Sequence, residues 1–340
     1  MRALIIKTSS MGDIIHTLPA LSDATIASSD ISFDWVVEKD FQEIPKWHHA
    51  VKTVIPIALR EWKKYLAKFF LLGEFRHLKS KIRQQRYDIV IDAQGLLKSA
   101  ILTRLANAKQ RTGLDWQSAR ESLASTFYQK RINVTCECHA INRTRLLFAE
   151  ALGYTIPTNL HNFGINWTQF HTTNKQNPYL VFLHGTTWKT KQWPEIYWEQ
   201  LTKIVSEQGF EVHVTCATPE QRELVNRLSQ QISSVKMLPH LTIQEAAIEL
   251  KCAKGVVSVD TGFGHLSAAM GTPTVTLYGP TNPNYVGILG NRQLHLAPDL
   301  PCSPCYAHKC KNRQSALINP PCFKELTPGQ VWNHLNSILP

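Results

Sequence analysis

The sequence predicts an α/β protein made of two doubly wound domains in tandem. Three observations carry that expectation. The chain has 340 residues, too many for one ordinary domain and enough for two of roughly 150 each. Short apolar runs of strand type alternate with longer amphipathic stretches, the pattern of a parallel sheet covered on both faces. The alternation halts once, over a polar segment at 157–178 rich in Asn, Thr, His and Gln, and then restarts.

In the first half, a buried-strand run at Ala3–Lys7 enters the turn Ser9-Ser10-Met11-Gly12-Asp13, and a helix is expected from Ile14 onward. Strand runs follow at Phe33–Val37, Val51–Ile57 and Asp88–Asp92, with helices at Gly95–Asn107 and His139–Leu152. In the second half, strands are expected at Tyr179–His184, Phe210–Cys216, Val235–Leu238, Gly255–Val259 and Pro273–Tyr278. Helices fall at Trp193–Gln208, Pro219–Gln231 and Ile243–Cys252. A last helix, Pro328–Leu339, has apolar positions Val331, Leu335, Ile338 and Leu339. The predicted organisation is therefore a domain over 1–160, a second over 178–325, and a terminal helix at 326–340 packing back toward the first. In such sheets ligands bind outside the carboxyl ends of the strands, and two tandem domains place a cleft between them.

Composition narrows the class of partner. Lys and Arg number 37 against 26 Asp and Glu, a formal charge of +11, which favours an anionic partner. Between Arg60 and Arg86, nine cations face only Glu61 and Glu74, interleaved with Trp62, Tyr65, Leu66, Phe69 and Phe70. That stretch suits an anionic membrane surface; a solvated helix face with an apolar core side reads equally well, and the two are compatible. No nucleic-acid recognition motif accompanies it. No apolar run approaches the roughly 18–20 residues that span a bilayer. Met1–Lys7 lacks the apolar length and cleavage site of a signal peptide, so the expected location is the cytoplasm. There, eight cysteines argue against a disulfide framework. The absence of G-x-x-x-x-G-K-[ST] and G-x-G-x-x-G excludes a P-loop NTPase and speaks against a dehydrogenase.

Three strand-to-helix turns carry candidate chemistry. In the first, Gly12 permits a tight turn, Ser9 and Ser10 lie beside amides able to hold an anion, and Asp13 is either a general base or a helix cap. In the second, Val259-Asp260-Thr261-Gly262-Phe263-Gly264-His265, the glycines allow close backbone approach to a pyrophosphate. Asp260 and His265 there are either ligand contacts or structural groups. The third, His184-Gly185-Thr186-Thr187-Trp188-Lys189-Thr190-Lys191, offers hydroxyls and a cation to a diphosphate, or is an ordinary polar loop. Finally, Cys302, Cys305, Cys310 and Cys322 meet the ligand count of a structural zinc site with non-standard spacing. Reduced thiols packing a loop, or a reversible disulfide, are the alternatives.

Taken together, the opening turn through Leu21, Asp92-Ala-Gln-Gly-Leu-Leu-Lys-Ser99, Val259–Leu266 and Tyr278-Gly-Pro-Thr281 resemble the lipopolysaccharide heptosyltransferases of glycosyltransferase family 9. The likeness runs from about residue 1 to about 290. It is strongest to members that add the first heptose to the Kdo sugar of lipid A; the cysteine tail looks more like other members, including those that add the second.

The resemblance implies the GT-B architecture, two Rossmann-like domains with a substrate cleft. It also implies ADP-L-glycero-β-D-manno-heptose as donor and an inverting displacement needing no cofactor. Asp13 becomes the catalytic base. Thr186, Thr187, Lys191, Glu220, Leu241, Asp260, Thr261, Gly262 and His265 become the donor contacts. Ser10, Gly12, Arg60, Lys98, Arg120, His139, Arg143 and Arg145 become the acceptor contacts, their charge suiting a carboxylate and lipid phosphates. The expected protein is a monomer at the cytoplasmic face of the inner membrane, meeting Kdo-lipid A there through the basic stretch 60–86. It has no nucleic-acid partner.

Overall fold

The computed structural model describes residues 1–59, 73–134, 137–158, 162–170, 177–312 and 318–340. Arg60 and the rest of the basic stretch up to residue 72 lie outside that range. The chain forms two units, Met1–Gln169 and Phe170–Pro340, and their boundary falls inside the polar segment. The first unit reaches beyond residue 160 because Ile165 bridges His48, and the Asn166 N–H donates to the Trp47 carbonyl at 2.9 Å.

Each unit is a six-stranded, all-parallel sheet with helices. In the first, β1 (Arg2–Ile6), β2 (Ser32–Glu38), β3 (Val51–Ile57), β4 (Arg86–Asp92), β5 (Asn107–Leu114) and β6 (Lys130–Ile132) stand in the order β3-β2-β1-β4-β5-β6. In the second, β7 (Tyr179–Leu183), β8 (Glu211–Val214), β9 (Val235–Met237), β10 (Gly255–Val259), β11 (Thr274–Leu277) and β12 (Gln293–Leu296) stand in the order β12-β11-β10-β7-β8-β9. Both orders reverse direction beside the first strand of the unit, as Rossmann-like sheets do. Central strands β1, β7 and β10 are buried along almost their whole length, and β7 (Tyr179–Leu183) is an unbroken aliphatic and aromatic run, as expected of strands covered on both faces.

The helices of the first unit are α1 (Met11–Ile15), α2 (Leu18–Ala27), α3 (Glu43–Lys46), α4 (Glu74–Arg83), α5 (Leu97–Leu105) and α6 (Ala140–Leu152). Those of the second are α7 (Glu195–Glu207), α8 (Pro219–Gln231), α9 (Ile243–Cys252), α10 (Gly262–Ala269), α11 (Pro283–Val286) and α12 (Pro328–Ile338).

Four expectations are refined by the structure. Helix α1 starts three residues before Ile14, and a second helix begins at Leu18, where Pro19 fits the first turn. The helix expected at Gly95–Asn107 stops at Leu105, and Asn107–Leu114 is a strand. Its polar sequence hides it, since only Thr112 and Gly113 are fully buried there. The terminal helix packs into the core of the second unit. Thr327 caps α12 in a box with Gln330, and Val331 and Leu335 enter the second core beside Leu180 and Val257. Burial of two such side chains stabilises by about 1.5–3 kcal/mol each. Lastly, Arg145 on α6, expected as an acceptor contact, is engaged within the first unit. Its Nε donates to Asp23 Oδ2 on α2 at 2.6 Å and its Nη2 to the Pro157 carbonyl at 2.9 Å. Arg145 and Asp23 are 7% and 6% exposed, so this guanidinium ties two helices together.

One glycine shows how tightly the first sheet is built. A Cβ on Gly113 of β5 would lie 2.4–2.7 Å from ring carbons of Tyr128. That ring is buried and cannot swing away, because its hydroxyl donates to Asp92 Oδ2 at 2.7 Å. Gly113→Ala is expected to lower stability by about 1–3 kcal/mol, read as a reduced urea midpoint at unchanged slope.

Candidate active site

In the first unit, the carboxyl end of β1 delivers Lys7 and the Thr8–Ser10 turn to the start of α1. Asp13 occupies the third position of that helix and reaches back. Its Oδ2 accepts from the Ser10 N–H at 2.9 Å and the Ser10 hydroxyl at 2.8 Å. The Lys7 ammonium, 7% exposed as a residue, donates to the Ala93 carbonyl at 2.8 Å and stands 3.8 Å from Asp13 Oδ1. The Asp13 side chain is 45% exposed, so capping and solvent access coexist. Cap and base are compatible roles here.

The Asp92–Ser99 motif supports this turn from beneath. Gln94 Oε1 accepts from the Thr8 and Ser9 amides at 3.0 and 3.2 Å. Asp92, fully buried, accepts from the Gln94 and Gly95 amides at 2.8 and 3.1 Å. Its carboxyl is pushed above the usual range by burial. Gln94 and Lys7 are therefore positioning groups that the sequence reading did not single out.

The expected acceptor contacts divide. Lys98 and Arg120 are exposed, and Arg120 follows Ala119, whose backbone lies against Gly95. Arg143 is half-buried and donates to the Ser118 carbonyl at 3.1 Å. His139 is 7% exposed and caps α6, its Nδ1 accepting from the Ile141 amide at 3.1 Å; its ring lies edge-on to His16, 5.5 Å between centroids.

In the second unit, the carboxyl ends of β7 and β10 bring the donor candidates together. The Lys191 ammonium sits 2.7 Å from Asp260 Oδ2. The same oxygen accepts from the Thr281 hydroxyl at 2.6 Å, and the Thr186 hydroxyl points to the Asp260 carbonyl at 3.5 Å. Lys191 also lies over the Trp188 ring, 4.4 Å from its centroid. Thr187 is exposed beside this cluster in sequence, and Thr261 and Gly262 open α10, whose first amides face outward as helix starts do. His265 is buried one turn further on, at 8% exposure. Gly264, read as a site of ligand approach, is also close-packed: a Cβ there would meet Ser258 Oγ at 2.8 Å. Thr281 and Trp188 were missed as site residues, although Thr281 closes a motif already singled out.

Glu220 is exposed at the start of α8. Its carboxyl is held below the usual range, first of all by the Thr218 hydroxyl. A cavity of about 440 Å³ beside it is lined by Ala217, Thr218, Pro219, Arg222, Glu223 and Asn226. Neither Glu220 nor the half-buried Leu241 lines it.

The four tail cysteines are free thiols. Cys302 and Cys305 are exposed, while Cys310 and Cys322 are half-buried. Among the described residues no group of His, Cys, Asp or Glu has the arrangement to hold a metal ion. Burial pushes the Cys322 thiol up to about 12, with the other three thiols adding to the shift. Elsewhere, Cys138 is disulfide-bonded, a departure from the expectation of reduced cysteines.

His184, at the end of β7, is 7% exposed, and neither ring nitrogen has a hydrogen-bond partner. Burial holds its pKa down to about 4, against an ordinary 6.5. Between those values the unfolded chain binds the proton and the folded chain does not, so stability is lost as pH falls through that window. His184 is expected to contribute about 2 kcal/mol to the loss between about pH 7 and pH 5. His184→Phe should flatten the measured slope by that amount.

Each unit is Rossmann-like and presents its candidate groups at strand carboxyl ends, a carboxylate in the first and a cation-and-hydroxyl cluster in the second. The model of glycosyltransferase family 9 (heptosyltransferase) matches residues 75–316. Lipopolysaccharide heptosyltransferase 1 of Pseudomonas aeruginosa is 45% identical over 100% of this chain and 98% of its own length. The Escherichia coli heptosyltransferase WaaC, solved with ADP, superimposes with a TM-score of 0.87 at 40% identity, covering 99% of this chain and 100% of that one. Lipopolysaccharide heptosyltransferase 2 of Escherichia coli is 24% identical over 79% of this chain and 80% of its own. The chain belongs to glycosyltransferase family 9, the heptosyltransferases.

Proposed function

We propose that this glycosyltransferase moves L-glycero-D-manno-heptose from ADP-heptose to the Kdo sugar of lipid A. It acts as a monomer at the cytoplasmic face of the inner membrane. The choice of first over second heptose rests on similarity: 45% identity to a heptosyltransferase 1 against 24% to a heptosyltransferase 2.

The observation that carries the donor half is the Lys191–Asp260–Thr281 cluster at the strand ends of the second unit. A diphosphate entering there meets the Lys191 ammonium, the Thr186 and Thr187 hydroxyls and the first amides of α10. Those fixed donors stabilise the charge that grows on ADP as its bond to the sugar breaks. Asp260 and His265 complete the pocket, and Glu220 and Leu241 flank the nucleoside.

On the acceptor side, Asp13 takes the proton from a Kdo hydroxyl as that oxygen attacks the anomeric carbon, inverting its configuration. Lys98, Arg120 and Arg143 attract the Kdo carboxylate and lipid phosphates. No cofactor takes part in the chemistry.

Calorimetry tests the donor half. ADP-heptose and ADP are expected to bind, and a UDP-sugar to bind at least about tenfold more weakly. Equal affinity for the UDP-sugar contradicts the proposed donor.

A further inference from the structure

We infer that His308, in the cysteine-bearing segment after β12, is a positioning residue for the donor site, acting through Trp188 on Lys191. The inference rests on the reading that Lys191 meets the donor diphosphate.

Lys191 has two partners of different kinds. One is the Asp260 carboxylate at 2.7 Å; the other is the face of Trp188, 4.4 Å from the ammonium. A diphosphate competes directly with a carboxylate for an ammonium, because both are anions seeking the same donors. It does not compete with an aromatic face, which attracts the cation through its quadrupole. When the donor arrives, the Asp260 pair is weakened or shared, and the Trp188 platform keeps the long side chain from regaining rotamers. Ordering a free lysine costs side-chain entropy, so a standing platform strengthens donor binding without touching the donor.

The platform needs its own support, and residues 303–308 supply it. The His308 ring packs on Trp188 with 3.6 Å between centroids and 35° between planes. One residue earlier, the Ala307 carbonyl accepts from the Thr190 hydroxyl at 2.7 Å, fixing the turn that bears Lys191. The segment is anchored on the other flank of the site as well. The Ser303 hydroxyl donates to the Gly279 carbonyl at 2.6 Å, and the Tyr306 amide to the Pro280 carbonyl at 2.8 Å. The next residue is Thr281, whose hydroxyl holds Asp260. Residues 303–308 thus grip both the cationic and the anionic side of the donor cluster. This gives the tail of the chain a part in donor binding although none of its residues belongs to the cluster.

The test is a calorimetric titration of the full-length protein with ADP. His308→Ala is expected to weaken binding about fivefold, the worth of one cation–π contact near 1 kcal/mol. His308→Phe, which keeps an aromatic ring on Trp188, should restore affinity to within about twofold. Trp188→Leu removes the platform from its other side and should weaken binding at least as much as His308→Ala. Lys191→Met should weaken binding on its own and abolish the effect of adding His308→Ala, the non-additivity of residues acting through one another. Unchanged affinity in His308→Ala, or an equal loss with and without Lys191, overturns the proposal. If Lys191→Met itself binds ADP like the wild type, the failure lies instead in the donor role given to Lys191.

Discussion

Asp13→Asn is expected to reduce heptose transfer by roughly 10²–10⁴-fold, the usual contribution of a general base, with ADP affinity changed by less than about twofold. The substitution is nearly isosteric, and the amide oxygen can still accept from Ser10, so α1 keeps its cap. What is lost is the basic oxygen. Oδ2 is occupied by the Ser10 amide and hydroxyl, whereas Oδ1 faces the Lys7 ammonium at 3.8 Å, beyond a hydrogen bond. Capping through Oδ2 and the proposed proton transfer are the two functions assigned to this carboxylate. Ser10→Ala separates the two functions. It removes one bond to Oδ2 and should slow transfer far less than Asp13→Asn. Rates at saturating donor and acceptor, with melting curves for both variants, check this. Full activity in Asp13→Asn assigns the base to another residue.

Arg145→Met should be the most damaging stability change among the basic residues of the first unit, costing about 3–5 kcal/mol. It leaves the Asp23 carboxylate, only 6% exposed, without its guanidinium in a poorly solvating interior. Adding Asp23→Leu to Arg145→Met removes the stranded charge and should recover most of the loss. Urea denaturation of the single and double variants reads both effects. A role in acceptor binding makes the opposite prediction: the single variant keeps its stability and the Michaelis constant for the acceptor rises.

Arg145 also marks where sequence reasoning reached its limit. Arg143 and Arg145 lie two residues apart on α6, and their charges are identical in the sequence. Only tertiary contact separates them, one to a buried aspartate over a hundred positions away and the other to the Ser118 carbonyl near the surface. By contrast, β1 and β7 were legible because a strand covered on both faces is apolar along its buried length, and β3 and β10 because Val and Ile recur between their polar or small residues. Strand β5 escaped for the converse reason. Its residues 107–111 are polar apart from Ala108 and none is buried, and its pairing with β4 is carried by backbone groups.

The candidate site was legible where glycine, acid and hydroxyl fall together at a strand-to-helix turn. It was illegible where a residue acts by holding another. Nothing in the local pattern around Gln94 tells that its side chain cradles the Thr8 and Ser9 amides. Nothing around His308 tells that its ring meets Trp188, because those contacts close loops of about 85 and 120 residues. Nor does the motif around Gly264 tell that Ser258 lies behind that glycine.

The central claim is heptose transfer to Kdo-lipid A with Asp13 as base, and mass spectrometry of the acceptor tests it most directly. With ADP-heptose, the wild type should add the mass of one heptose to Kdo-lipid A but not to an acceptor that already carries the first heptose, and Asp13→Asn should add almost none. A mass gain only on the heptosylated acceptor, or on neither despite bound ADP-heptose, contradicts the account.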